Sequence, residues 1–77
     1  MKKYLVTWCG GSRRVAGLKA AHTLARTKSA KYHDRGGCSG ATVWRERRGG
    51  GEAVLVCRAK RCRRTGWLQS GNPYNIG

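Results

Sequence analysis

Four cysteines, Cys9, Cys38, Cys57 and Cys62, in a chain of 77 residues constrain the fold more than any other feature. A chain this short buries only about 60% of the surface its unfolded form exposes. Domains below roughly 70–80 residues commonly add disulfides or a structural metal. There is no Phe and a single Met, so aromatic packing falls to Trp8, Trp44, Trp67, Tyr4, Tyr32 and Tyr74. We expect one small domain over residues 1–68 and a flexible C-terminal tail over 69–77, which lacks periodicity. So little core cannot wall a deep pocket, and a non-enzymatic protein is expected.

Tyr4 to Cys9 reads as a strand, with Tyr4, Val6 and Trp8 on one face. Gly10-Gly11-Ser12 is turn chemistry, and Ser12 is placed to cap a helix over Arg13–Tyr32. On that helix Leu18, Ala21, Leu24 and Ala25 share one side, with Lys19 and Arg26 opposite. A Gly-rich loop over 33–40 leads to a second strand at Ala41–Arg47 and a third at Glu52–Arg58, joined as a hairpin. The expected class is α+β in the order strand-helix-strand-strand: a three-stranded sheet with one helix packed on one face and the other face open. A helical crossover makes the first and second strands parallel. Cys9 then falls at the end of the sheet opposite Cys38, Cys57 and Cys62.

His33 and Cys38 are spaced as Cys57 and Cys62 are, and the two pairs flank the hairpin. Zinc takes four N/S ligands at tetrahedral corners, often delivered as two close pairs. Over His33–Cys62 this layout of paired ligands, strand, turn, strand and paired ligands resembles a zinc ribbon. The resemblance implies a structural zinc on His33, Cys38, Cys57 and Cys62. Two other readings stand beside it. The cysteines are free thiols acting as small apolar side chains, or they form a disulfide, most simply Cys57–Cys62. His22 reads as a partly buried helix residue, since it has no carboxylate partner to make it a base.

The longest apolar run, Ala53–Cys57, is far below the ~20 residues of a membrane span. The stretch Tyr4–Cys9 is too short for the ~7–15-residue core of a signal peptide. A cytoplasmic protein with no membrane partner is expected, in a compartment that keeps thiols reduced.

Seventeen Lys+Arg against three Asp+Glu give a formal charge of +14. A polyanionic partner relieves the self-repulsion this imposes. Arg outnumbers Lys, 11 to 6, and the guanidinium fork suits phosphate and base stacking. Arg13 and Arg14 lead into a helix bearing Lys19, Arg26, Lys28 and Lys31. Arg45, Arg47 and Arg48 lie on the hairpin, and Arg58, Lys60, Arg61, Arg63 and Arg64 precede Trp67. The last cluster, five cations and a ring, fits phosphate contact and base stacking.

The expected function is therefore non-enzymatic binding of DNA or RNA through Arg45, Arg47, Arg48, Arg58, Lys60, Arg61, Arg63, Arg64 and Trp67. An alternative is docking on an acidic surface of a host protein, and a third is threading of residues 58–67 into ribosomal RNA. As a small, basic, Arg/Gly/Ala-rich chain, the protein resembles the accessory proteins of bacteriophages and mobile elements from GC-rich bacteria. That resemblance implies a DNA-directed or host-directed role.

Overall fold

Tyr4, Val6 and Trp8 do alternate along a strand, β1 (Lys3–Trp8), but the chain then turns straight back instead of entering a helix. The computed structural model describes residues 2–32, 40–47 and 50–65. His33, Cys38, Arg48, Trp67 and the expected tail over 69–77 lie outside the described residues. After a two-residue turn at Cys9 and Gly10, β2 (Gly11–Ala16) pairs antiparallel with β1, from Trp8↔Gly11 to Lys3↔Ala16. Gly17, at φ 88°, redirects the chain into α1 (Leu18–Tyr32). Its N–H donates to the Lys2 carbonyl at 2.8 Å, and its own carbonyl accepts from Ala21 N–H at 3.2 Å. Gly17 is thus the residue that caps the helix. Three strands follow: β3 (Ala41–Arg47), β4 (Gly50–Arg58) and β5 (Arg61–Arg64). The sheet order is β2-β1-β3-β4-β5, every neighbouring pair is antiparallel, and α1 packs on one face.

The three-stranded sheet expected from the sequence is therefore corrected to five strands. The two added strands are the two edges. β2 is exposed along most of its length and β5 is four residues of Arg and Cys, so neither shows the period-two alternation that betrays a half-buried strand. The helix starts at Leu18, not Arg13, because Arg13–Ala16 belong to β2. Ser12 is a strand residue and caps nothing. The extra reversal also changes the direction of everything after it. β1 and β3 are antiparallel, with Thr7↔Thr42 and Val6↔Val43. Cys9 consequently comes to the same end of the sheet as Gly40 and Cys57, which the expected parallel pairing had put at opposite ends.

The core is built from small side chains. Val6, Ala21, Ala25, Ala41, Val43, Leu55 and Cys57 form one buried cluster, with Tyr4, Trp8, Val15, Leu24, Val54 and Cys62 packed against it. The largest fully buried side chains are Val6, Val43, Cys57 and Ser29. Ala21, Ala25 and Ser29 form the helix stripe facing the sheet, and their size lets the backbone come close. Leu18, expected on that stripe, is the first residue of the helix and is 41% exposed. On the sheet face away from the helix, Leu5 and Ala53 are buried, and Trp44 Nε1–H donates to Thr7 Oγ1 at 2.8 Å.

A β-bulge shifts the β3–β4 register: Val43 pairs with Leu55, but Trp44 pairs with Ala53, leaving Val54 as the extra residue. Thr65 closes the disturbed ladder. Its N–H donates to the Val54 carbonyl at 3.1 Å, and its Oγ1 donates to the Ala53 carbonyl. At the other end of β4, Gly40 lies against the Cys57 carbonyl oxygen, only 2.1 Å from where a Cβ would stand, and its φ is +100°. Only glycine fits there. Gly40→Ala should lower stability by about 3 kcal/mol or more, read as a fall in the urea midpoint.

Candidate functional site

The β4–β5 hairpin carries the densest charge and the most constrained backbone of the described residues. Its register runs Val56↔Arg63, Cys57↔Cys62, Arg58↔Arg61, which leaves Ala59 and Lys60 as a two-residue turn. Ala59 has φ 52° and Lys60 φ 73°. A tight type I′ turn needs positive φ at both central residues and is normally met by Asn-Gly or Gly-Gly. Left-handed backbone at residues with a Cβ costs roughly 1–2 kcal/mol each.

Two features hold the turn in place. Cys57 and Cys62, directly opposed across the strands, are joined by a disulfide with a sequence separation of 5. Closing a loop of that size stabilises by about 2 kcal/mol on chain-entropy grounds. Lys60 N–H donates to Ser29 Oγ at 3.0 Å, and the Ser29 hydroxyl donates in turn to the Arg26 carbonyl at 3.1 Å. Ser29 is fully buried yet satisfied, and such a bond contributes about 1 kcal/mol. Together these offset most of the turn's strain.

Five cations decorate this scaffold. Arg58, Lys60, Arg61, Arg63 and Arg64 are all exposed. Because side chains alternate along a strand, Arg58, Arg61 and Arg63 share the face away from the helix, while Arg64 falls on the helix side opposite Leu55. Arg58 and Arg61 stand directly across from each other, a like-charge pairing that works against the sheet. Lys60 also reaches the helix. With Arg26, Thr23 and Thr27 it lines a groove of about 160 Å³, so a helix cation and a turn cation share one concavity.

The other expected binding residues are placed differently. Arg45 gives its Nη2 to the buried Glu52 carboxylate at 2.5 Å. It lies in register with Tyr4 on the helix side of the sheet, so its charge is already answered within the fold. Arg47 ends β3. Lys28 and Lys31 each lie against a ring, Lys28 Nζ 4.8 Å from the Trp8 centroid and Lys31 Nζ 5.4 Å from that of Tyr32. Such contacts hold an ammonium in place without neutralising it.

Of the expected zinc ligands, Cys57 and Cys62 are adjacent but joined as a disulfide, the third of the readings the sequence left open. Cys9 is also disulfide-bonded, so the free-thiol reading fails for every described cysteine. His22, set aside in the sequence as a helix residue, brings its ring nitrogens near both sulfurs: one ligand atom from each of His22, Cys57 and Cys62 lies within 4.8 Å of the others. Helical spacing held the signal, since His22 is four residues from Leu18 and three from Ala25, on the sheet side of α1. Ser29 was missed for the same reason: a polar residue on a mostly Ala stripe.

Replacing Ala59-Lys60 by Asn-Gly should raise stability by about 1–2 kcal/mol, seen as a higher urea midpoint. Ser29→Ala should cost about 1 kcal/mol and speed hydrogen exchange at the Lys60 amide.

No protein-family model, curated protein or solved structure matches this chain.

Proposed function

We propose that the protein binds nucleic acid without catalysis, laying the β4–β5 hairpin along the phosphate backbone. Arg58, Lys60, Arg61, Arg63 and Arg64 make the phosphate contacts, and Arg26 adds one more across the shared groove. The observation that carries this reading is the direct opposition of Arg58 and Arg61 beside a strained turn. A fold with no polyanion to meet gains nothing from stacking like charges on a left-handed turn of non-glycine residues. Strain of that kind gathers where function requires it, and a row of phosphates removes the repulsion. Arg45 drops out of the contact set because Glu52 holds it.

The salt dependence of binding tests this. Log K should fall linearly with log salt, with a slope near −0.9 for each phosphate neutralised on duplex DNA. The double variant R58A/R61A should reduce the slope by ~2. The same variant should be more stable than the native chain, by roughly 0.2–1 kcal/mol, since an opposed like-charge pair is gone. Weaker binding with higher stability separates a functional charge pair from a structural one. Fluorescence anisotropy against duplex DNA, single-stranded DNA and RNA reads the first quantity, and urea unfolding reads the second. Binding that is flat between low and physiological salt overturns the proposal. Capture of one acidic host protein in place of nucleic acid would establish the host-protein alternative.

No helix among the described residues is long and apolar enough to cross a membrane. We place the protein in the cytoplasm, as its sequence suggests. There the glutathione and thioredoxin systems act to open disulfides, which makes the reduced form of the hairpin base a species to account for.

A further inference from the structure

We propose that reduction of the Cys57–Cys62 disulfide creates a zinc site made by His22, Cys57 and Cys62. It differs from the His33/Cys38/Cys57/Cys62 set expected from the sequence, of which His33 and Cys38 lie outside the described residues, and it stands independently of what the hairpin binds.

Three observations carry it. The first is distance: the ligand atoms lie within 4.8 Å of one another. Tetrahedral zinc, with Zn–S near 2.3 Å and Zn–N near 2.0 Å, wants them roughly 3.5–3.8 Å apart. Side-chain rotation covers the difference. The second is the support. Cys57 and Cys62 are opposed in strand register, so opening their bond leaves both sulfurs on the same side of the same ladder. His22 comes from the second turn of α1, beside the fully buried Ala21 and Ala25. Sites built on regular elements hold their geometry better than sites on loops. The third is donor type and space. Two thiolates and an imidazole select zinc over calcium or magnesium. His22 also lines a cavity of about 240 Å³ with Leu18, Val54, Leu55, Arg64 and Thr65, which has room for water as a fourth ligand.

The chemistry balances in two steps. A cellular dithiol reduces the Cys57–Cys62 bond; its two thiols close to a disulfide, and their two electrons and two protons produce the Cys57 and Cys62 thiols. Zinc then displaces the two thiol protons to solvent and forms two Zn–S bonds, with neutral His22 giving a ring nitrogen. Two thiolates cancel the zinc charge, so the surface field is unchanged. What changes is the reach of the clamp. The disulfide joins two strands; the zinc joins those strands to the helix.

Cobalt(II) and zinc titrations of the full chain test it, after reduction by a water-soluble phosphine that takes its oxygen from water. The reduced protein should bind one metal and show the thiolate charge-transfer and red d–d bands of tetrahedral cobalt. The oxidised protein should bind none. C9S/C38S should keep the site, because neither residue belongs to it. H22N, checked for fold by circular dichroism, should weaken zinc binding by at least ~100-fold, beyond the loss of an outer-shell partner. Equal affinity in H22N and the native chain overturns the proposal, as does equal binding before and after reduction. Loss of the metal in a folded C9S/C38S would overturn it too, by moving the site to Cys9 and Cys38. Should that variant not fold, H22N in the four-cysteine chain decides alone.

Discussion

Covalent closure at Cys57–Cys62 is the interaction on which the basic face of this protein depends. A core of Val, Ala, Leu and Cys supplies little apolar area. A fully buried Val or Leu contributes about 1.5–3 kcal/mol, and few such residues are present. β5 receives the least from this core, because α1 lies over β1, β2, β3 and β4. β5, three arginines and one cysteine beyond an unfavourable turn, brings little apolar packing of its own. The bond between the strands, set into the core through the fully buried Cys57, adds to the ladder pairing and the Lys60–Ser29 hydrogen bond that hold it.

The site and the fold are linked through backbone, not only through side chains. Gly40 presses on the Cys57 carbonyl, Ser29 accepts from Lys60, and Thr65 closes the bulge at Ala53 and Val54. The first two contacts fix the hairpin against the entry to β3 and against α1, and the third extends the hairpin's own ladder. The arginines therefore project from a braced frame, so less conformational entropy would be lost on meeting the proposed polyanion. Arg45 illustrates the opposite use of the same residue type: paired with the buried Glu52, it holds β3 to β4 and presents no net charge outward.

Much of the fold could be read in the residues. β3 and the second half of β4 show alternation, β1 carries an apolar run, the helix runs to Tyr32 as its periodicity indicates, and Ala21 and Ala25 face the core. What could not be read were the edges. Exposed strands have no apolar face to alternate with, so Gly11–Ala16 looked like a turn and a helix start, and Arg61–Arg64 like a basic run. Missing one reversal inverted the direction of β3 relative to β1 and sent Cys9 to the wrong end. The site was legible as charge: all five cations from Arg58 to Arg64 are exposed. Its pairing was not, because the opposition of Arg58 and Arg61 exists only once the register is fixed. His22 escaped because a polar residue on a helix carries no sign of what the neighbouring strands present to it.

Both outer strands of the sheet carry arginine: Arg13 and Arg14 on β2, and Arg61, Arg63 and Arg64 on β5. An outer strand has unpaired N–H and C=O groups that can template pairing with another copy of the chain. Here two molecules that approach rim to rim always meet the same sign of charge. That guard is electrostatic, not steric, so it has a range: about 8 Å at physiological ionic strength, shrinking as salt rises. The guard therefore weakens as salt rises, and a polyanion covering one rim would remove it there.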